Sequence, residues 1–212
     1  MTTPDHQSPA PDAPEPESKD RIYRSAGGIA GGVLLLAIFG WLGIDALIAG
    51  EGRTPWIALA ALLLSVPLIV AFTLRPAVFA DDDRLRVRNP FRVIVLPWGT
   101  VASLRSGYSN EVTDTAGTKF QLWAVPVSLR ARKRAARRQA RAESGRGGAG
   151  PVLPDAPVRA QTDQVMDELR ELFEARAQAP GSRGEVSVRW AYEVLAPAAA
   201  GAVLLAILLA VG

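Results

Sequence analysis

The strongest chemistry-bearing stretch of the chain is SLRARKRAARRQARAE, in which Arg130, Arg132, Lys133, Arg134, Arg137, Arg138 and Arg141 place seven cations within twelve residues and no acid among them. Wound as a helix over 128–143, it puts Arg130, Arg134, Arg137, Arg138 and Arg141 on one broad face, with alanine filling most of the rest. It is too weakly apolar to enter lipid, but it is a strong electrostatic site. Close to an anionic leaflet each Lys or Arg contributes ~1 kcal/mol, so several together hold such a helix at the surface. The same charge attracts an acidic protein. Nucleic acid is disfavoured, since neither a binding fold nor interleaved aromatics accompany the cations. A plainly solvated basic helix is the alternative.

Other reactive groups are sparse. The 212 residues contain no cysteine and one histidine, His6, so disulfides, thiolate chemistry and Cys/His metal sites are excluded. The run Asp81 to Asp83 could bind a cation, but it lacks the further oxygen ligands of a calcium loop and reads as a solvated hairpin turn. The GRGGAG of 145–150 lacks the preceding strand, the Lys and the Ser/Thr of a phosphate loop. No GxSxG, HExxH or Walker pattern occurs. No cofactor is expected, and the reading is non-enzymatic.

These groups are positioned by apolar runs. Residues 27–48 are long enough, at ~1.5 Å per residue, to cross a hydrocarbon core of roughly 30 Å, and 56–74 carry no charge at all. Only Ala49 to Pro55 separate them, so they form a hairpin of two spans. A third run, 194–211, is expected to span as well, with a buried or interfacial helix as the alternative. Asp45 lies within a turn of the outer end of the first span, where its carboxylate reaches water. Gly27 with Gly31, and Gly28 with Gly32, are small pairs at helical spacing that let another helix approach closely.

Orientation follows from charge. Lys19, Arg21 and Arg24 precede the first span, Arg53 alone lies in the loop, and Arg75, Arg84, Arg86, Arg88 and Arg92 follow the second. By the positive-inside rule the N-terminus and the middle of the chain are cytoplasmic, in a multi-pass protein of the cell membrane. Tyr23 suits one interface, Trp41 and Trp56 the other, and Trp190 with Tyr192 the inner side before the third span. Residues 1–18, rich in Pro and acid, are expected to be disordered and do not form the short basic start of a signal peptide.

From Arg75 the period changes to that of strands. Short β-branched and aromatic stretches are punctuated by DDD, NP, PWG and TAGT, which predicts strands near Ala77 to Ala80, Arg84 to Arg88, Phe91 to Leu96, Val101 to Arg105, Tyr108 to Thr113 and Lys119 to Ala124. Trp98 is read as a plug at the end of a small barrel rather than a ligand-facing ring. After a Gly- and Pro-rich linker over 144–157, TDQVMDELRELFEARA predicts an amphipathic helix capped by Thr162. Its stripe of Val165, Met166, Leu169, Leu172 and Phe173 needs a partner.

A hairpin of spans running into a strand, an acidic turn, LRVRNPFR and a strand closing in LPW resembles the bacterial pleckstrin-homology (PH)-like domains, and within them the actinobacterial membrane proteins related to low molecular weight protein antigen 6. The matching positions are Val78, Leu85, Val87, Arg88, Asn89, Arg92, Leu96, Pro97, Trp98, Val101 and Leu104. The resemblance covers about 29–124 and implies an antiparallel β-roll closed by a C-terminal helix, with no catalytic residues. The expected architecture is therefore an α+β membrane protein: a disordered tail (1–18), a transmembrane helical hairpin (19–74), a cytoplasmic PH-like domain (75–180) and a C-terminal transmembrane segment (181–212). The function expected is a membrane-anchored interaction or scaffold domain whose basic helix engages anionic headgroups or an acidic partner. The alternative is an accessory subunit of a larger membrane complex, recognised through its transmembrane helices. Partners are thus membrane lipid and a membrane or cytoplasmic protein, with self-association left open.

Overall fold

The computed structural model describes residues 20–125 and 156–211, with the backbone alone over 156–162. The chain is a mixed α+β protein: three long apolar helices stand on a small antiparallel roll of two sheets closed by one amphipathic helix.

Helix α1, Ala26–Ile48, begins at Ser25, whose hydroxyl accepts the Gly28 N–H at 3.1 Å and satisfies one orphan donor of the first turn. The chain turns over Ala49 to Arg53, with Gly52 in the left-handed region at φ 62°, and enters α2, Thr54–Ile69, with Pro55 in its first turn. Pro67 lacks the N–H that would continue the ladder, and over Val70–Leu74 the helix widens into a π-helical turn, closed by the Arg75 N–H on the Val70 carbonyl at 2.9 Å. Helix α4, Tyr192–Ala210, is the third apolar helix. All three, α2 together with its π-helical turn, are long and apolar enough to cross a membrane. Helix α2 is the middle one, packed on α1 and on α4. Gly201 permits the second contact, because a Cβ there would collide with the backbone of Leu63 and Leu64.

The strands of the roll obey the period-2 rule. In β3, Arg84–Arg88, Leu85 and Val87 are fully buried while the arginines between them face outward. It pairs with β2, Ala77–Ala80, and β4, Arg92–Pro97. Strands β5, Val101–Ser106, β6, Asn110–Asp114, and β7, Lys119–Gln121, form the second sheet. β2 and β3 have the bounds expected, those of β4, β5 and β6 shift by one or two residues, and β7 ends at Gln121, before the turn that carries Trp123, rather than at Ala124.

Two strands were not read in the sequence. Strand β1, Arg21–Tyr23, immediately before α1, pairs with β2, and β8, Ser187–Trp190, immediately before α4, pairs with β4. The first sheet therefore runs β1-β2-β3-β4-β8, and both of its edges are lead-ins to apolar helices.

Helix α3, Ala156–Arg176, begins six residues before Thr162, so that threonine lies inside the helix rather than at its cap, and Ala156 and Pro157 belong to the helix rather than to the linker. Proline is tolerated there because the first turn has no N–H partner to lose. Met166 and Leu169 are buried against a core that includes Leu85, Ile94, Leu96, Leu104 and Val112, so the apolar stripe finds its partner within the chain. Trp98 is fully buried in the same core, its indole N–H donating to the Asp81 carbonyl at 2.8 Å, which makes it a plug. The acidic turn is a turn: Asp81 Oδ1 accepts the N–H groups of Asp83 and Arg84, and Asp82 pairs with Arg176 at the end of α3.

Tyr23 ties the lead-in of α1 to α3 by donating its hydroxyl to Glu168 at 2.6 Å. Burial, then the Glu168 bond and charge, push its pKa up to about 12. A raised pKa means that the protonated phenol is the form the fold holds. Its contribution is complete below the ordinary value of 10.0 and is lost as the pH rises through about 12. Tyr23→Phe should lower stability by about 1 kcal/mol and remove that alkaline loss, as read by thermal unfolding in detergent across the pH range.

Candidate functional site

The seven cations expected to carry binding, Arg130, Arg132, Lys133, Arg134, Arg137, Arg138 and Arg141, lie outside the described residues. The folded roll assembles a second basic surface from residues far apart in sequence. All three apolar helices join it at one rim: α1 after Tyr23, α2 before Ala77 and α4 after Trp190. Along this rim the register aligns Ala77, Arg88, Val93 and Arg189 on neighbouring strands, and one further residue along β1 brings Arg24 opposite Ala77. Arg24, Arg88 and Arg189 thus stand on alternate strands, about 10 Å from one to the next at the usual strand spacing. Two small apolar residues separate them.

The charges are incompletely balanced. Arg88 has its pKa lowered, first by burial and then by the cations of Arg75, Arg86 and Arg24, with only Glu193 acting the other way. Arg86 pairs with Asp20 at 2.7 Å. Arg86 and Arg88 also lie over the Phe79 ring, 4.6 and 5.2 Å from its centroid, which fixes both guanidinium groups on the outer face of the sheet. An anion approaching the rim meets planar groups already held in place. That arrangement favours phosphate or carboxylate over a neutral ligand.

Arg75 holds the rim together. Its side chain is only 10% exposed, and it donates to the Asn89 carbonyl at 2.6 Å, to the Pro90 carbonyl at 3.4 Å and to Glu193 at 2.7 Å. One guanidinium thereby connects the end of α2, the β3–β4 turn and the first turn of α4. Asn89 carries the connection onward, its side-chain amide donating to the Gln121 carbonyl at 2.8 Å and accepting the Trp123 backbone N–H at 3.3 Å, so the turn also bridges to the second sheet. Among the described residues, no group of three His, Cys, Asp or Glu could hold a metal ion. Asp45 lies toward the far end of α1 from this surface, whereas the glycine pairs lie in its opening turns; Gly28 and Gly32 face Thr73 in the π-helical turn, while a Cβ added at Gly27 or Gly31 would meet nothing within 4 Å.

The individual arginines were legible in the sequence as flanking charge, but their alignment was not. The available signal was the alternation in Arg21-Ile22-Tyr23-Arg24 and in Ser187-Val188-Arg189-Trp190, each a short β-prone segment directly before an apolar run.

The geometry agrees with the one comparison that finds similarity. The model of the bacterial PH domain family matches residues 75–148, about a third of the chain. The match begins at Arg75 and covers β2 to β7, so the sheet-forming middle of the chain is similar to a bacterial PH domain. No curated protein and no solved structure shows significant similarity to the chain.

Replacing Arg75 by Met should strip the Asn89 and Pro90 carbonyls of a charged donor and cost about 2–3 kcal/mol, seen as a lowered melting temperature. Arg75→Lys, which keeps the charge but not the fork, should recover only part of the loss.

Proposed function

We propose that the chain is a membrane-anchored, non-catalytic interaction domain of PH-like architecture, in which three transmembrane helices hold the roll at the cytoplasmic face and its cations engage anionic lipid headgroups or an acidic partner. The observation that carries this reading is the rim itself. The lead-ins of all three apolar helices and the arginines Arg24, Arg75, Arg88 and Arg189 share one end of the roll. With the helices in a bilayer, that end lies at headgroup level, where fixed guanidinium groups meet phosphates. The basic segment with Arg130, Arg132, Lys133, Arg134, Arg137, Arg138 and Arg141 is assigned the same role, adding seven further cations. The nearer kinship to the proteins related to low molecular weight protein antigen 6 belongs to this proposal, as does the cell-membrane location.

A second reading, an accessory subunit recognised through its helices, draws on Gly27 and Gly31, which face open space while their neighbours Gly28 and Gly32 are packed. A helix of another chain could approach there without obstruction.

The absence of cysteine makes topology testable without background. Ala116→Cys, in the exposed β6–β7 turn, should react with a membrane-impermeant maleimide in inside-out vesicles and stay unlabelled in right-side-out ones; the reverse pattern would overturn the orientation. For lipid engagement, the full chain in neutral nanodiscs should acquire phosphatidylglycerol in preference to phosphatidylcholine. Arg24→Gln, Arg88→Gln and Arg189→Gln together should weaken that preference at least tenfold, given ~1 kcal/mol per cation near an anionic surface. Gln at Arg130, Arg134, Arg137, Arg138 and Arg141 forms a second arm, and a preference unmoved by both sets would refute lipid engagement.

A further inference from the structure

A cleft of about 480 Å³ opens between the last turn of α2, the β3–β4 turn and the edge of the second sheet. It is separate from the arginine row. Val93, which shares a row with Arg88, faces outward, whereas Arg92, one residue earlier, turns to the opposite side and lines the cleft.

The walls are of two kinds. One is aromatic: Phe72 meets Phe91 edge-on with centroids 5.1 Å apart, and Trp123 with centroids 5.6 Å apart. Phe72 and Trp123 are each about 40% exposed, a large apolar surface left uncovered at one spot. The Trp123 indole N–H donates to the Phe72 carbonyl at 3.3 Å, so the indole has no polar group left to offer and presents carbon to the cleft. The π-helical turn supplies Phe72, and it follows directly on the apolar body of α2. The other wall is charged. Arg92 and Lys119 contribute two cations, Glu111 one carboxylate that accepts a bond from Ser109, and Lys119 pairs with no acid among the described residues. Arg92 is steadied over the Trp190 ring, 5.4 Å from its centroid.

A hydrophilic anion would use the cations and gain nothing from three rings. An uncharged hydrocarbon would use the rings and leave the cations idle. A ligand with phosphate at one end and hydrocarbon at the other satisfies both, and the leaflet beside α2 is made of such molecules. We propose that the cleft seats a single anionic phospholipid, its phosphate between Arg92 and Lys119 and its glycerol and first acyl carbons against Phe72, Phe91 and Trp123. This rests on the membrane-anchored reading above and adds to it a discrete lipid site, as distinct from general attraction to an anionic surface. The volume falls in the range of small-molecule sites, where an apolar lining and a few fixed polar groups together set orientation.

The test uses the full chain in phosphatidylcholine vesicles containing a trace of phosphatidylglycerol with a photoreactive group near the glycerol end of one acyl chain. After irradiation, adducts should map to peptides carrying Phe91 or Trp123. Unlabelled phosphatidylglycerol should compete, and inorganic phosphate should not. Lys119→Gln, an exposed change, should lower the adduct yield about fivefold, the loss of one cation near a phosphate. Lys119→Arg should retain it, and Trp123→Ala should lower it in a protein whose melting transition is preserved. Adducts confined to the three helices, or a cleft yield unchanged by Lys119→Gln, would overturn the proposal while a chain still resistant to alkaline extraction kept its anchoring. Competition by inorganic phosphate as strong as by lipid would overturn it in favour of a soluble phosphate ligand. A chain that alkali strips from the vesicles would overturn anchoring and cleft together.

Discussion

The structure depends on how the edges of its main sheet are closed. A β-sheet exposes unpaired N–H and C=O groups along each outer strand, and a small sheet with open edges invites pairing with another chain. Here β2, β3 and β4 are flanked by β1 on one side and β8 on the other, and each flanking strand leads within a few residues into an apolar helix. The ladder hydrogen bonds that complete the sheet therefore also fix where α1 and α4 begin, while α2 runs through its π-helical turn and Arg75 directly into β2. Roll and helices share strands instead of being joined by a linker. The starts of α1 and α4 are thus tied to the pairing of the sheet's own edges.

Arg75 reinforces the same constraint from inside. A nearly buried guanidinium is costly unless every donor is used, and here it is held by two backbone carbonyls of the β3–β4 turn and by Glu193. The bonds to Asn89 and Pro90 position the turn, and Asn89 in turn grips the second sheet through Gln121 and Trp123. A chain of polar contacts thus runs from the end of α2 across both sheets. The aromatic group of Phe72, Phe91 and Trp123 sits alongside it, so the cleft is walled by elements that the polar contacts already hold.

The opposite end of the roll is arranged differently. There the acidic turn of Asp81 to Asp83 closes on its own backbone, Asp82 pairs with Arg176, and Trp98 fills the core beneath with its N–H on the Asp81 carbonyl. Polar groups at that end are spent on holding strands, plug and helix α3 together. Arg24, Arg88 and Arg189 stand instead at the rim where the helices enter.

The sequence by itself determined the three apolar helices, because continuous apolar runs of this length need no partner to be recognised, and it determined the strands from Ala77 to Gln121, because alternation and turn residues are local signals. It also identified Trp98 as a plug and, through LRVRNPFR and LPW, the likeness to a bacterial PH domain that the family match over 75–148 supports. Only the tertiary structure decided the rest. Arg21–Tyr23 and Ser187–Trp190 are too short to announce themselves as strands; their β conformation comes from pairing with β2 and β4, which lie far away in the chain. The arginine row follows from those two pairings, since Arg24 and Arg189 meet Arg88 only once the register is set. The start of α3 at Ala156 was hidden by Pro157, which suits a first helical turn as well as it suits a linker. The cleft is the most tertiary feature of all: its cations and rings come from the π-helical turn, the β3–β4 turn, β4, β7 and the turn after β7, and the long separations in sequence between these elements carry no trace of the distances between them.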